Sequence, residues 1–454
     1  MSLFHARFDQ FVRERLPETL AAGDALPPLD GGRHAALARL NGVRLGRYAS
    51  TRNHLDGDVT RLSAYLRHGC LSLAEVRDAA LQRHKPYEVQ KFISELGWRD
   101  YYQRVYAAVG NRLLDDLEPY KTGFSPDDYA DDLPPDIPAG ETGLACMDAF
   151  ARELADTGYL HNHARMWVAA YVVHHRRVKW QAGANWFLTH LLDGDVASNH
   201  LSWQWVASTF SHKPYFFNRE NLERYTDARY CQRCSVRRSC PFAGEYDDLA
   251  RRLFAAPLPD PDGPPQPPTR TPPGHRKVSL KVVADDPPPG TDPHADRPLP
   301  HADAVVWAHD EALSAAHPAF STGLPAIAVL DRPRIDAERW AFKRAVFVAT
   351  SASELLETLA RRSGEPTRDP CERLAVGDAA TLVADFADAH KARMVVIPRS
   401  TTPRIRDVAA ALSRKFAVVW ADPPAFASLR GPVDLTRFSR YWRVAEPKAM
   451  RPTG

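Results

Sequence analysis

A chain of 454 residues has room for roughly two to four domains. With 44% hydrophobic and 25% charged residues it has the composition of a soluble protein, and no apolar run is long enough to span a membrane. A net charge of +3 neither demands nor excludes a nucleic-acid partner, because a chain of this size can hold a local basic surface.

The N-terminal MSLFHARFDQFVRERL reads as an amphipathic helix without the apolar core and cleavage site of a signal peptide, so the cytoplasm is the expected location. A short helix is predicted from Gly31 to Leu40. Between Tyr48 and Gly69, Asp56-Gly57-Asp58 makes a turn, and Thr60, Arg61 and Ser63 bring hydroxyls and a guanidinium to the start of the next helix. Free amides and the helix dipole would favour an anion there, although N-capping by Thr60 explains the same residues. Ser72 and Glu75 form a capping box for a helix ending near Leu81.

From Glu88 to Gly110, Val89, Phe92, Ile93 and Leu96 share one helical face, with Glu95, Trp98 and Arg99 displaced from it. That polar strip suits either a cleft wall or a solvated surface. The following Asp- and Pro-rich stretch to Gly143 reads as loop, and Met147, Phe150, Ala151 and Leu154 then predict a helix closed by Gly158.

Tyr159 to Trp205 is the most unusual stretch. Ala164, Trp167, Val168, Tyr171 and Val172 recur with helical spacing, so Asn162, Arg165 and Met166 project from the first turns. A second run through Trp186, Leu188, Leu191 and Leu192 stops at Asp193-Gly194-Asp195, where two carboxylates flank a glycine corner, and Asn199 and Trp203 follow. A helical hairpin accounts for any one of these residues but not for their combination. The basic clusters His174-His175-Arg176-Arg177 and Arg237-Arg238 read alone as solvated faces.

Cys231, Cys234 and Cys240-Pro241 have the spacing C-x2-C-x5-C-P, which suits a metal or an iron-sulfur cluster, and Cys146 is the nearest spare cysteine upstream to serve as a fourth ligand. A cytosolic setting argues against a disulfide. Four-cysteine zinc fits the spacing equally well.

Pro257 to Pro300 is rich in Pro, Asp and Gly and reads as a linker, with a β-like interruption at Lys277-Val283. Beyond it, apolar runs at Ala304-Trp307, Ala326-Leu330, Met394-Ile397 and Ala417-Trp420 read as buried strands. Helical stretches at Ser353-Arg362, Ala379-His390 and Ile405-Lys415 separate them. Ala345-Val348 fits either a strand or the front of a longer helix. The expected architecture is therefore multidomain α plus α/β: a helical domain over 1–256, the linker over 257–300, and a parallel-sheet, Rossmann-like domain with a tail over 301–454. No G-x-G-x-x-G or Walker loop accompanies that sheet.

The motifs VTRLSAYLRHG, ELGWRDYY, TGYLHNHARM and LLDGDVASNHLSWQW resemble, in content and order, those of the cryptochrome and DNA photolyase flavoproteins, and the likeness covers about Gly31 to Phe242. The resemblance implies a helical domain that binds bent FAD in a cavity opening toward DNA. It assigns Tyr48, Thr60, Arg61, Leu62 and Ser63 to the phosphates and ribityl chain, with Phe92 and Arg99 beside them. Arg165 would pair with Asp193, Asp195 would lie near flavin and adenine, and Asn199 would face flavin N5. Val59-Thr60 departs from the family's Thr-Ser and gives up one hydroxyl.

By the same resemblance Glu95, Trp98, Asn162, Met166 and Trp205 match the lesion pocket of photolyases that split cyclobutane pyrimidine dimers in UV-damaged DNA. Trp203 and Trp180 match two members of the chain that reduces the flavin in light. No Trp stands near Asp127 for the third member, leaving Tyr129, Trp186 or Trp167. One bacterial branch carries a 4Fe-4S cluster on cysteines that look like Cys146, Cys231, Cys234 and Cys240, which favours iron-sulfur over zinc. That branch typically has His at the position of Asn162 and repairs (6-4) photoproducts.

The segments AVVWAHDEALSAAHPAF and LAVGDAATLVADFADAHKARMVVIP resemble the family's antenna domain moved behind the helical one, a circular permutation, with the antenna chromophore left open. The function implied is light-driven dimer repair by a monomer. The alternatives are a cryptochrome-like photoreceptor or a photolyase acting on (6-4) photoproducts.

Overall fold

The computed structural model describes residues 3–258, 280–283, 299–364, 374–429 and 431–452. Most of the expected linker, 259–279 and 284–298, lies outside the described residues.

The first half is helical. The elements used below are α1 (Leu3–Arg15), α2 (Arg33–Asn41), α3 (Ser63–Arg67), α4 (Leu73–Arg83), α5 (Pro86–Val109), α6 (Ala145–Thr157), α7 (Asn162–Ala170), α8 (Trp180–His190) and α9 (Val196–Ala207). The capping box forms as its residues dictate: Ser72 Oγ accepts from the Glu75 amide at 3.1 Å and the Glu75 carboxylate accepts from the Ser72 amide. α6 ends at Gly158 in the left-handed region, φ 64°. α8 ends at His190, short of the Asp193 corner, and Asp195 caps α9 by accepting from the Ser198 amide. Thr60 is not the cap of α3; the cap position is Leu62, whose amide donates to Thr60 Oγ1 at 3.4 Å.

Among the described residues, β2 (Ala304–Ala308), β3 (Ala326–Asp331), β4 (Leu374–Gly377), β5 (Met394–Pro398) and β6 (Ala417–Ala421) form a parallel sheet in the order β4-β3-β2-β5-β6. The chain reverses its direction of winding between β2 and β5, which puts the carboxyl-end crevice of the sheet there. Helices α10 (Phe342–Ser363), α11 (Ala379–Ala389) and α12 (Pro403–Leu412) cover the sheet. Ala345-Val348 lies inside α10, whose first dozen residues are all buried; a helix enclosed by protein reads apolar all round and loses its period. α1 packs on α10, with Arg13 over the Phe342 ring at 4.6 Å.

Three further elements close the fold. β1 (Lys281–Val283) pairs antiparallel with β7 (Pro432–Asp434), and α13 (Phe438–Ala449) returns to the helical half and packs along α5. Gly97 allows this approach, because a Cβ there would stand 2.2 Å from the Trp442 ring. Tyr441 donates to Asp100 at 2.6 Å, and Phe438 stacks on Trp98 at 3.8 Å. One apolar core therefore runs from Phe8 and Phe92 through Phe347 to Val306 and Tyr441, and a second surrounds Trp167, Trp180 and Trp203.

Candidate functional site

The Asp193-Gly194-Asp195 corner is where the predicted polar residues meet. Arg165, one turn into α7, donates through Nη2 to both Asp193 oxygens, at 2.9 and 3.1 Å. Asp193 also accepts from Ser63 at the start of α3. Arg99 of α5 donates to Asp195 Oδ2 at 3.1 Å, Gln103 one turn later reaches both Asp195 oxygens at 2.9 and 3.0 Å, and Ser198 Oγ donates at 2.5 Å. Burial pushes both carboxylates up, but Arg165 at Asp193 and the Arg99 and Arg67 charges at Asp195 outweigh it, so both lie below the usual range.

Around this corner stand the other expected flavin contacts. Asn199 donates through Nδ2 to the Ala184 carbonyl at 2.7 Å, which leaves its oxygen for another partner. Tyr48 meets the Phe92 ring edge-on at 5.2 Å. Arg61 holds φ 52°, a left-handed conformation costly for a long side chain, and lays its guanidinium 4.7 Å over Tyr159. Leu62 is buried, and Thr60 and Ser63 are half-buried. Three guanidiniums (Arg61, Arg99 and Arg165), hydroxyls and an amide with spare hydrogen-bonding capacity make a donor set that fits a diphosphate and a polar ring edge.

The five residues matched to a lesion pocket are spread differently. Glu95 lies between Lys91 at 2.7 Å and Arg52 at 3.4 Å. Asn162 is exposed, with Nδ2 3.7 Å from Met166 Sδ on the same helix face. Trp205 is half-buried against Tyr215. Trp98 has one face covered by Phe438.

Trp203 and Trp180 are fully buried. Trp203 lies against Gly183, where a Cβ would stand 2.2 Å from the indole, and Trp180 donates to Asp116 at 2.6 Å. Of the three candidates for a further member, Tyr129 stacks on Tyr120 at 4.7 Å, Trp186 meets Phe187, and Trp167 stacks on His163. The His174-Arg177 cluster is not a solvated face. A π-helical turn over Tyr171–His175 carries His174 inward, where burial holds it down to about 4, while Arg176 pairs with Asp136 and Arg177 lies over Phe124.

The four predicted cysteines line a single cavity with Leu144, Leu222, Tyr230, Phe242, Arg219 and Arg237. Cys146 comes from the start of α6, the others from the loop beyond α9. Burial pushes the Cys146, Cys231 and Cys240 thiols up, Cys231 to about 11. Among the described residues no three His, Cys, Asp or Glu side chains are grouped to hold a single metal ion; these cysteines surround a volume instead. Nor is any helix among them long and apolar enough to cross a membrane.

Sequence reading missed Arg67, Gln103 and Arg344. Gln103 carried a usable signal, standing four residues after Arg99 on the same helix face.

Fold and site thus define a two-domain protein whose helical half carries a polar corner of paired carboxylates and guanidiniums. Residues 92–237 match the family model of the FAD binding domain of DNA photolyase. Over this helical region the chain is similar to photolyases and cryptochromes alike. It is 36% identical over 193 residues to a deoxyribodipyrimidine photo-lyase of Streptomyces griseus, covering 42% of this chain and 41% of the relative. It is 34% identical over 200 residues to a cryptochrome DASH of Gloeobacter violaceus, covering 39% and 37%. A crystal structure of a class III photolyase from Agrobacterium tumefaciens aligns with 25% identity and a TM-score of 0.39 over 50% of this chain and 53% of that one. The chain spans about two fifths of the length of these curated relatives.

Proposed function

We propose that this protein is a light-driven DNA repair enzyme, a deoxyribodipyrimidine photolyase that splits cyclobutane pyrimidine dimers. The observation that carries the reading is the pair of ionic clamps on one corner, Arg165 on Asp193 and Arg99 on Asp195, drawn from two helices. When bound, reduced and excited by light, FAD supplies the electron that opens the dimer and takes it back afterwards. The protein's part would be to hold that group and keep water from it: Tyr48, Thr60, Arg61, Leu62 and Ser63 would take its phosphates and ribityl chain, with Phe92 and Arg99 beside them, and Asn199 would face the flavin. Asn162, Met166 and Trp205 line the approach, with Asn162 open to a macromolecular ligand. Glu95 would offer its carboxyl where negative charge develops on the pyrimidine, and photolyases are themselves a named example of base flipping. Trp180 and Trp203, buried one after the other, are the proposed electron supply.

The four cysteines are proposed to hold a 4Fe-4S cluster rather than zinc. Their arrangement around one cavity suits a group that fills it, and Arg219 and Arg237 offset its negative charge. The order of the two domains supports the reading of a permuted family member.

A second reading, a cryptochrome-like photoreceptor, draws on the cover that Phe438 places over Trp98. Blue-light repair of a dimer-containing oligonucleotide separates the two. Light-dependent loss of dimers is expected, and a flavin-loaded protein that leaves them intact would favour the photoreceptor. Iron and sulfide analysis tests the cluster, and zinc without iron would refute it.

A further inference from the structure

Gly194, between the two clamped carboxylates, offers its carbonyl to two buried guanidiniums, one of them from the sheet domain. Arg67 Nε and Arg344 Nη2 each donate to that oxygen at 2.8 Å. Arg344 stands near the start of α10, is fully buried, and also donates to the Leu188 carbonyl at 3.0 Å and to Glu338 at 3.0 Å. A Cβ on Gly194 would lie 2.6 Å from Arg344 Nη1, so the glycine is what lets the guanidinium reach the corner.

Two more lines run from the sheet to the same place. Glu311, after β2, accepts from Ser400 and Thr402, after β5, at 2.6 and 2.7 Å, and pairs with Arg67 at 3.1 Å. Thr401 donates to Gln103 Oε1 at 2.9 Å, and Gln103 in turn holds Asp195. The winding reversal between β2 and β5, where a doubly wound sheet ordinarily takes its own ligand, here holds the back of the neighbouring domain's site.

We propose that the α/β domain fixes the flavin corner, with Arg344 as the principal positioning residue and Arg67 and Gln103 as relays. Buried ion-pair networks stabilise poorly against apolar replacements of the same shape, so stability is a weak reason to bury a guanidinium between two carbonyls. Fixing a turn whose neighbours on both sides anchor Arg165 and Arg99 is a better one. The inference rests on the corner being the FAD site.

The test compares FAD affinity and thermal unfolding in Arg344→Met, Arg344→Lys and Arg404→Met, the last removing an ion pair to Asp331 and Asp378 at the far edge of the sheet. Arg344→Met should weaken FAD binding roughly tenfold at temperatures where it remains folded. Arg344→Lys should recover part of that loss, and Arg404→Met should bind as wild type. Should Arg344→Met not fold, Thr401→Val, which breaks only the Gln103 relay, should still weaken binding roughly threefold. Unchanged affinity in Arg344→Met or, if that variant does not fold, in Thr401→Val overturns the inference, as does an equal loss in Arg404→Met. Wild-type protein that takes up no FAD overturns the proposed function and this inference with it.

Discussion

The Asp193-Asp195 corner and the cysteine cavity are built on opposite electrostatic plans. At the corner each buried carboxylate meets a guanidinium or hydroxyl of the protein itself, and both are held below the usual carboxylate range. In the cavity the thiols face mostly apolar side chains and one another, and burial pushes those of Cys146, Cys231 and Cys240 up. The corner's carboxylates are paired within the protein itself, whereas the cysteines become anionic only with what they bind, since metal ligation requires thiolate.

Breaking the corner should therefore be costly in the protein alone. Asp193→Ala strands Arg165 and should lower stability by about 3 kcal/mol in urea unfolding; an effect near zero would mean the corner is not preorganised. Acid should act in the same place. Glu338, down to about 2 through Arg334 and Arg344 despite its burial, and the depressed Asp193 and Asp195 contribute stability that is complete above their unfolded values near pH 4. That contribution disappears as pH falls toward about 2, a loss on the order of 2 kcal/mol for a strongly depressed carboxylate. Unfolding curves that stay flat across that window would contradict the pairing. Ser198→Ala removes one donor to Asp195 and should cost about 1 kcal/mol. The smallest effect is predicted at the cavity: in chelator-treated protein Cys234→Ser should change stability by no more than about 0.5 kcal/mol. The same substitution in protein loaded with iron should abolish its metal content, and a large penalty in the chelated form would erase the contrast.

The helical half was legible because its signals are local. Ser72 with Glu75, Gly158 at a helix end, and the spacing of Val89, Phe92 and Ile93 each act within a turn or two of the chain. The Arg165-Asp193 pair followed from the resemblance, whereas the four cysteines that line one cavity were marked by their spacing, C-x2-C-x5-C-P with Cys146 upstream. What escaped depends on distant partners. Arg344 meets Gly194 from 150 positions away, so nothing in its own neighbourhood marks it. α10 hid its period because protein surrounds it, and β4 and β7 are too short to show one. Trp98 was matched to a lesion contact, but no element had been predicted for the segment carrying Phe438, so the ring that stacks on it could not be foreseen.

The return of α13 to α5 has a consequence for the making of the protein. On the ribosome α5 emerges some three hundred residues before the helix that covers Gly97, Trp98 and Tyr101. Until then those aromatic faces are open to solvent and to other nascent chains, the kind of transient exposure that invites association. The helical half therefore cannot mature as an independent early domain. Its final packing step waits for the sheet to be synthesised, so newly made chains should depend on chaperones more than a helical domain folding by local contacts would.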